Sequence, residues 1–329
     1  MKKLVLLACS YAATAGLLTG CVGAPEQDSG AKDAGNYSPV TVTNCGVETT
    51  YDQAPTHAVT LNQAATETLL ALGLEDSMVG TAYIDDSVAP EWEAAYQKVP
   101  QLSGSEYPSK EAFLKAEPDF AYSAYASAFS DKAVGSRDEL KASGINSHII
   151  PFGCPEKKDR PTGADMTAVW QETRDIAKIF GVTDRGEELV KDQQARLEAL
   201  KQQTPAAGKS IFWYDSGDKD PFVGVGEGGP QIIIDALGGK NIFADRKGNW
   251  DHVSWESVVE QNPDVIVLAD AAWNSAEQKK QYLKNDPVLS QLKAVQNDAF
   301  VTVKFSESSP GVSLVGGAER LADQVKNLG

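Results

Sequence analysis

Ser109-Lys110-Glu111 is followed, seven residues after the glutamate, by Pro118-Asp119 and an apolar run; Ser254-Trp255-Glu256 is followed at the same distance by Pro263-Asp264 and another. In each copy the serine is a natural helix N-cap and the glutamate sits near the positive end of a short helix. The Pro-Asp then ends that helix and opens a strand. One such unit is a common helix-to-strand device. Two copies, with all four residue types in matching places, describe a chain built as two similar halves.

Each half alternates short β-rich runs with helical stretches. In the first, Ala58-Val59-Thr60-Leu61, Met78-Val79-Gly80-Thr81-Ala82, Asp119-Phe120-Ala121-Tyr122 and His148-Ile149-Ile150-Pro151 read as strands, with a helix over 66–72 stopped by Gly73. In the second, Ser210-Ile211-Phe212-Trp213-Tyr214, Asp264-Val265-Ile266-Val267-Leu268 and Phe300-Val301-Thr302-Val303 are strands, and 231–237 and 312–328 are helices. The unbroken apolar run at 264–268 marks a strand buried on both faces. Such alternation predicts α/β architecture around a parallel or mixed sheet.

Between the halves, 165–203 splits at Gly181-Val182-Thr183 into two helices. The second, 184–203, places Leu189, Val190, Gln193, Leu197 and Leu200 near one face and spans about 30 Å. The predicted fold is therefore α/β with two lobes, each a central mostly parallel sheet flanked by helices, joined by one long rigid helix. The N-terminal lobe is 45–183, the inter-lobe helix 184–203 and the C-terminal lobe 204–329.

Residues 1–20 read as a signal peptide: a positive start at Lys2-Lys3, then an apolar run over 4–18 too short for a good membrane span. Leu18-Thr19-Gly20-Cys21 looks like a bacterial lipobox, which implies a diacylglycerol on the Cys21 thiol. Residues 22–43 hold almost no large apolar side chain, so 21–44 is expected to be the lipidated cysteine and a flexible tether. The expected location is the cell membrane, lipid-anchored on its extracytoplasmic face, with a soluble body. A net charge of −16 opposes nucleic acid as a partner. Three histidines are too few for a multi-histidine centre, and no metal site is assigned. With Cys9 in the signal and Cys21 lipidated, a disulfide between Cys45 and Cys154 is the simplest account of the other two cysteines in an exported domain.

From Cys45 to its end the chain resembles the substrate-binding lipoproteins of ATP-driven ABC importers, of the type joined by one rigid helix, which serves ferric siderophores, cobalamin and haem. The residues carrying the resemblance are Thr60-Leu61-Asn62-Gln63-Ala64-Ala65-Thr66-Glu67 with Leu72-Gly73-Leu74, the two Ser-x-Glu…Pro-Asp units, and Gly238-Gly239-Lys240-Asn241-Ile242-Phe243-Ala244-Asp245. It implies that Glu111 and Glu256 dock onto arginines of a permease dimer served by ATPase subunits. One carboxylate per lobe suits a two-fold partner. Taken singly, each glutamate reads better as a helix-start acid; the equivalent pair shifts the balance to docking. A monomer without cofactor is expected.

Ligands of such folds sit where the strand ends of two lobes face each other. The candidates just past the strands are Asn62, Gln63, Tyr83, Tyr107, Tyr122 to Tyr125 and Phe152 in the first lobe. In the second they are Trp213, Tyr214, Trp250, Trp273 and Phe305. Arginine is scarce, with seven in the chain, and Arg246 is the one expected in the cleft. Aromatic faces without basic residues favour a neutral or cationic chelate, such as a ferric hydroxamate, over an anionic catecholate complex. Cobalamin, haem by tyrosine ligation and a corrinoid-like or deazaflavin-type precursor stay open.

The competing class is an exported enzyme. The chain has no GxSxG, HExxH or CxxC. Gly224-Val225-Gly226-Glu227-Gly228-Gly229 fits GxGxxG but does not closely follow a strand, and reads as a loop entering a helix.

Overall fold

The computed structural model describes residues 37–328. The signal peptide, the Cys21 lipidation and the tether as far as residue 36 lie outside the described residues. The described chain opens with an antiparallel hairpin of β1 (Val40–Asn44) and β2 (Val47–Tyr51). This corrects the expected tether: Val42 and Tyr51 are buried against the first lobe. The reason is the Val-Thr-Val alternation, which gives one apolar edge, and the Cys45–Cys154 disulfide, which pins the hairpin turn across 109 residues.

The N-terminal lobe is built on four parallel strands. These are β3 (Ala58–Leu61), β4 (Met78–Ala82), β5 (Phe120–Ser123) and β6 (Asn146–Ile149), arranged β4-β3-β5-β6. Both faces are covered, so strand neighbours enter different cores. Phe120 and Tyr122 pack on one side of the sheet, and Ala121 on the other with Val59 and Leu61.

The C-terminal lobe has a mixed sheet. It comprises β7 (Ser210–Ser216), β8 (Phe222–Gly224), β9 (Lys240–Asn241), β10 (Trp250–His252), β11 (Val265–Asp270) and β12 (Phe300–Lys304). The order is β10-β8-β7-β11-β12, with β9 beside β7. Strands β7, β9, β11 and β12 are parallel, and β8 and β10 form an antiparallel edge. Trp213 joins the core beneath the inter-lobe helix, and Phe212 and Tyr214 join the opposite one.

The internal repeat is structural. Ser109 and Ser254 each cap a short helix, Lys110–Lys115 and Trp255–Gln261, by accepting from a backbone N–H three residues on. The aspartate that follows does the same work in both lobes. Asp119 accepts from the Thr56 and His57 amides at the start of β3, and Asp264 from the Ser210 amide and hydroxyl at the start of β7. Strand pairs β3/β5 and β7/β11 are therefore equivalent.

The two helices that the sequence predicts over 165–203 are both present, and the first shares the joining role expected of the second alone. Thr167–Ile179 and Thr183–Gln203 pack together. Val169 belongs to the C-terminal core and Ile176 and Ile179 to the N-terminal one; Leu197 and Leu200 belong again to the C-terminal core. Two helices locked into both cores make a stiffer joint than a lone rod. Among the described residues no helix is long and apolar enough to cross a membrane.

Candidate ligand-binding cleft

In the first sheet the chain moves from β3 outward to β4 and then returns to the other side of β3, so the crevice opens beyond the carboxyl ends of β3 and β5. Asn62, just past β3, takes a backbone conformation rare outside glycine, φ 150 and ψ 156. Its Oδ1 accepts from Ser123 Oγ (2.7 Å) and the Ala124 amide (3.3 Å), tying the two strand ends together. Its Nδ2 is buried without a hydrogen-bond partner.

Beyond these ends a cavity of about 250 Å³ lies between the lobes. Ala64, Ala124, Tyr125, Ile150, Phe152 and Gly153 line it from the first lobe, and Phe222, Asn249, Trp250, Phe305, Ser309 and Pro310 from the second. Five are aromatic and none carries a charge. Gly153 has to be glycine, since a Cβ there would stand 1.8 Å from the Ala124 carbonyl oxygen.

Of the sequence-predicted residues, Tyr125, Phe152, Trp250 and Phe305 line the cavity. Trp273 is 56% exposed and meets Phe305 edge-on at 4.9 Å. Tyr83, held at φ 57, stacks on Tyr107 at 4.7 Å, and the Tyr107 hydroxyl bonds Ser127 at 2.9 Å. The pair stands outside the cavity lining; burial first, then Asp85 and then the Tyr107 and Tyr83 hydroxyls raise the Tyr125 pKa.

Other candidates are placed elsewhere. Tyr122, Trp213 and Tyr214 are fully buried in the sheet cores. The Tyr122 hydroxyl donates to Glu172 (2.7 Å), which also meets His148 (3.1 Å), and the Tyr214 hydroxyl donates to the Gly217 carbonyl. Gln63 is fully buried, and its carboxamide is used up within its own lobe by Glu67, Asp86 and Ser87. Arg246 does not line the cavity; its guanidinium is paired with Asp251. The GxGxxG glycines serve packing: a Cβ on Gly226 or Gly229 would collide with the Ala244 or Ser308 carbonyl.

Phe222 and Asn249 were missed because they sit on or beside edge strands of three residues, and Ile150 because it reads as part of the strand at 148–151 rather than as a residue past its end. A second omission is Asp85. It lies three residues past β4 in Tyr83-Ile84-Asp85-Asp86, and a carboxylate pair just beyond a strand end was the available signal. Burial, then the neighbouring Asp86 and Glu67, push its carboxyl up to about 6, and no cation or hydrogen bond among the described residues opposes them.

Beside the cavity the lobes are stitched together. Ser306 donates through its amide (3.2 Å) and hydroxyl (2.8 Å) to Asp86, Lys304 donates to Ser87 Oγ (2.6 Å), and Ser313 donates to Glu67. Gln193 of the inter-lobe helix donates to the Val312 carbonyl at 2.8 Å. Glu111 and Glu256 are both exposed at their helix starts, and hydrogen bonds from the Glu256 amide and from Ser254 hold the Glu256 carboxyl below its usual range. Among the described residues no group of three or more metal-ligating side chains comes together.

A two-lobed α/β body with an aromatic cavity between its sheets is the architecture of a solute-binding protein. The chain belongs to the periplasmic binding protein family, whose pattern it matches over residues 59–307. A periplasmic binding protein from Veillonella parvula superposes with a TM-score of 0.75 at 34% identity, covering 89% of this chain and 99% of that one. An ABC-type Fe3+-hydroxamate transport protein from Saccharomonospora viridis gives 0.69 at 26% identity, covering 87% and 99%. A vitamin B12-binding protein from Vibrio parahaemolyticus is 22% identical over 260 residues, 77% of this chain and 84% of its own length. These relatives are binding proteins rather than enzymes, the class the sequence favours.

Proposed function

We propose that this protein is the lipid-anchored, extracytoplasmic solute-binding component of an ABC importer. It captures an iron-siderophore-type chelate, a ferric hydroxamate by preference, and delivers it as a monomer to a permease dimer. The observation that carries the ligand class is the cavity lining: five aromatic rings, no charge, and Arg246 committed elsewhere. Such a wall favours broad, weakly charged surfaces and offers nothing to a polyanion. The cavity of about 250 Å³ is smaller than the roughly 300–1,000 Å³ of an ordinary small-molecule site, so this reading requires the lobes to part at their aromatic end to admit a chelate.

Docking rests on the repeat-equivalent Glu111 and Glu256. Glu256 also borders a groove with Trp255, Val259, Glu260, Asp286 and Val288, an acidic and apolar surface suited to a basic permease loop. The double variant Glu111→Ala/Glu256→Ala is expected to abolish uptake while ligand affinity is unchanged; normal transport would end the docking assignment. Fluorescence titration of the purified protein with a ferric hydroxamate, a ferric catecholate, cobalamin and haemin tests the ligand, since Trp250 lines the cavity. The hydroxamate is expected to quench most strongly, and preference for another arm would reassign the cargo.

A further inference from the structure

Five of the six residues that line the cavity from the first lobe, all but Ala64, lie in two short segments, Ala124-Tyr125 and Ile150-Phe152-Gly153. The two segments touch. A Cβ on Gly153 would stand 1.8 Å from the Ala124 carbonyl oxygen and 3.0 Å from the Tyr125 Cα, so a shift of Gly153 is passed directly to its neighbour. The segment that follows β6 has no strand on its outer side, because β6 is the edge of its sheet.

The β1–β2 hairpin holds that outer side instead. Its two-residue turn, Cys45-Gly46, has φ 51 and 75, the sense such a turn requires. Asn44, buried at the end of β1, pairs its carboxamide with Ile149, the residue just before the wall. Its Oδ1 accepts from the Ile149 amide (2.9 Å) and its Nδ2 donates to the Ile149 carbonyl (2.7 Å). A side-chain amide thus supplies what the backbone of a further strand would. Arg137 braces the same place, donating to the Asn44 carbonyl (3.3 Å) and to the hydroxyl and carbonyl of Ser147 (3.0 Å each). At the other end of the segment Cys154, also buried, is bonded to Cys45. Asn44 and Cys45 are adjacent, so one turn grips residues 149–154 at both ends, and the lining residues Ile150, Phe152 and Gly153 are the span between.

We infer that this hairpin turn is a positioning device of the ligand site. Asn44 and the Cys45–Cys154 disulfide lie outside the cavity lining, but they hold Ile150, Phe152 and Gly153, and through Gly153 the Ala124-Tyr125 backbone, where a ligand meets them. This rests on the cavity being the ligand site and adds the residues that set its shape. A stability role alone predicts that the two cysteines matter only through unfolding. A positioning role predicts lost affinity in a protein that is still folded, because a wall in its binding position one-tenth of the time binds about tenfold more weakly.

The test compares Cys45→Ser/Cys154→Ser, Asn44→Ala and a control, Leu200→Ala, in the full-length protein. Leu200 belongs to the C-terminal core, so its truncation costs stability away from the wall. Each is titrated with the ferric complex of a linear trihydroxamate at a temperature where thermal unfolding shows it folded. The serine pair is expected to bind about tenfold more weakly and Asn44→Ala about threefold, both mainly through faster release. Leu200→Ala is expected to bind as the native protein does. Native affinity in the serine pair, or an equal loss in Leu200→Ala, would overturn the inference. If the serine pair does not fold, Asn44→Ala decides alone, since it keeps the disulfide, and unchanged affinity there would overturn it.

Amide hydrogen exchange without ligand separates this inference from the chelate reading. In the serine pair, or in Asn44→Ala if that pair does not fold, 124–125 and 150–153 are expected to exchange faster while the second-lobe sheet is unchanged. If no chelate binds the native protein but exchange rises there, the cargo assignment falls and the hold on the wall stands. If the chelate binds and exchange does not change, the cargo assignment stands and the positioning role falls. If neither is seen, both fall.

Discussion

Glu67 and Asp85 are acids of the same neighbourhood that the fold treats in opposite ways. Glu67 is 1% exposed and accepts from Gln63 Nε2 (3.0 Å), the Ala89 amide (3.0 Å) and the Ser313 hydroxyl, the last from the other lobe. Asp85 is more exposed and accepts nothing among the described residues. A seam acid is thus saturated, and a half-buried acid close to it in the chain fold is left without a donor. Saturation holds a structure together, whereas a half-buried carboxylate without donors costs stability whenever it is ionised.

The largest effect is expected at the seam. Glu67→Ala strands the Ala89 amide and the Ser313 hydroxyl in a buried place, and should cost about 3 kcal/mol of stability. Urea unfolding measures it. Relief of the buried charge works against this loss, so Glu67→Gln, which keeps the shape and part of the bonding, should cost less. A loss below about 1 kcal/mol in the alanine variant would show that the inter-lobe bonds are not what holds the halves together.

Asp85 should respond with the opposite sign. Its folded pKa of about 6 lies above the 3.8 of an ordinary aspartate, so between those values the folded state binds more protons than the unfolded one. Stability therefore falls as pH rises from about 4 to about 6, and the penalty is fully present above 6. Asp85→Asn should remove it, raising stability above pH 6 by about 1 kcal/mol after allowance for solvent screening, with no gain below pH 4. Thermal unfolding across that range checks both the sign and the window. Destabilisation at pH 7 would mean that Asp85 has a partner after all.

How much of this contrast could be read from the chain follows from period and length. The central strands were legible because their apolar runs are unbroken, and the repeat was legible because Ser, Glu, Pro and Asp each have a local job. The faces were not. A strand buried on both sides carries no alternation, so nothing in Phe120-Ala121-Tyr122 or Phe212-Trp213-Tyr214 tells which residues reach a cleft, and Tyr122, Trp213 and Tyr214 are core. Strands β8, β9 and β10 have two or three residues, too few for any period, and Phe222 was lost with them. Asp85 was missed for a different reason. Whether a carboxylate is partnered depends on residues far away in sequence, such as Ser306 and Ser313, that satisfy its neighbours and pass it by.

The smallest expected effect tests whether the seam acts as a unit. Ser306→Ala deletes one hydroxyl bond to Asp86, but Gln63 Nε2 (2.9 Å) and the Ser306 amide still reach that carboxylate. With two donors left, the loss should be about 0.5–1 kcal/mol. Lys304→Met removes the two neighbouring bonds to the Ser87 carbonyl and hydroxyl, next to Asp86 in the chain, and should cost a similar amount because the ammonium is exposed. If the two contacts are independent, the double variant loses the sum. If they form one latch, either single change already releases the Asp86-Ser87 turn, and the second costs less than it does alone, with a coupling of at least about 0.5 kcal/mol. A coupled latch would open in one step, and since Asp85 precedes Asp86 directly, that step would also release the unpaired acid.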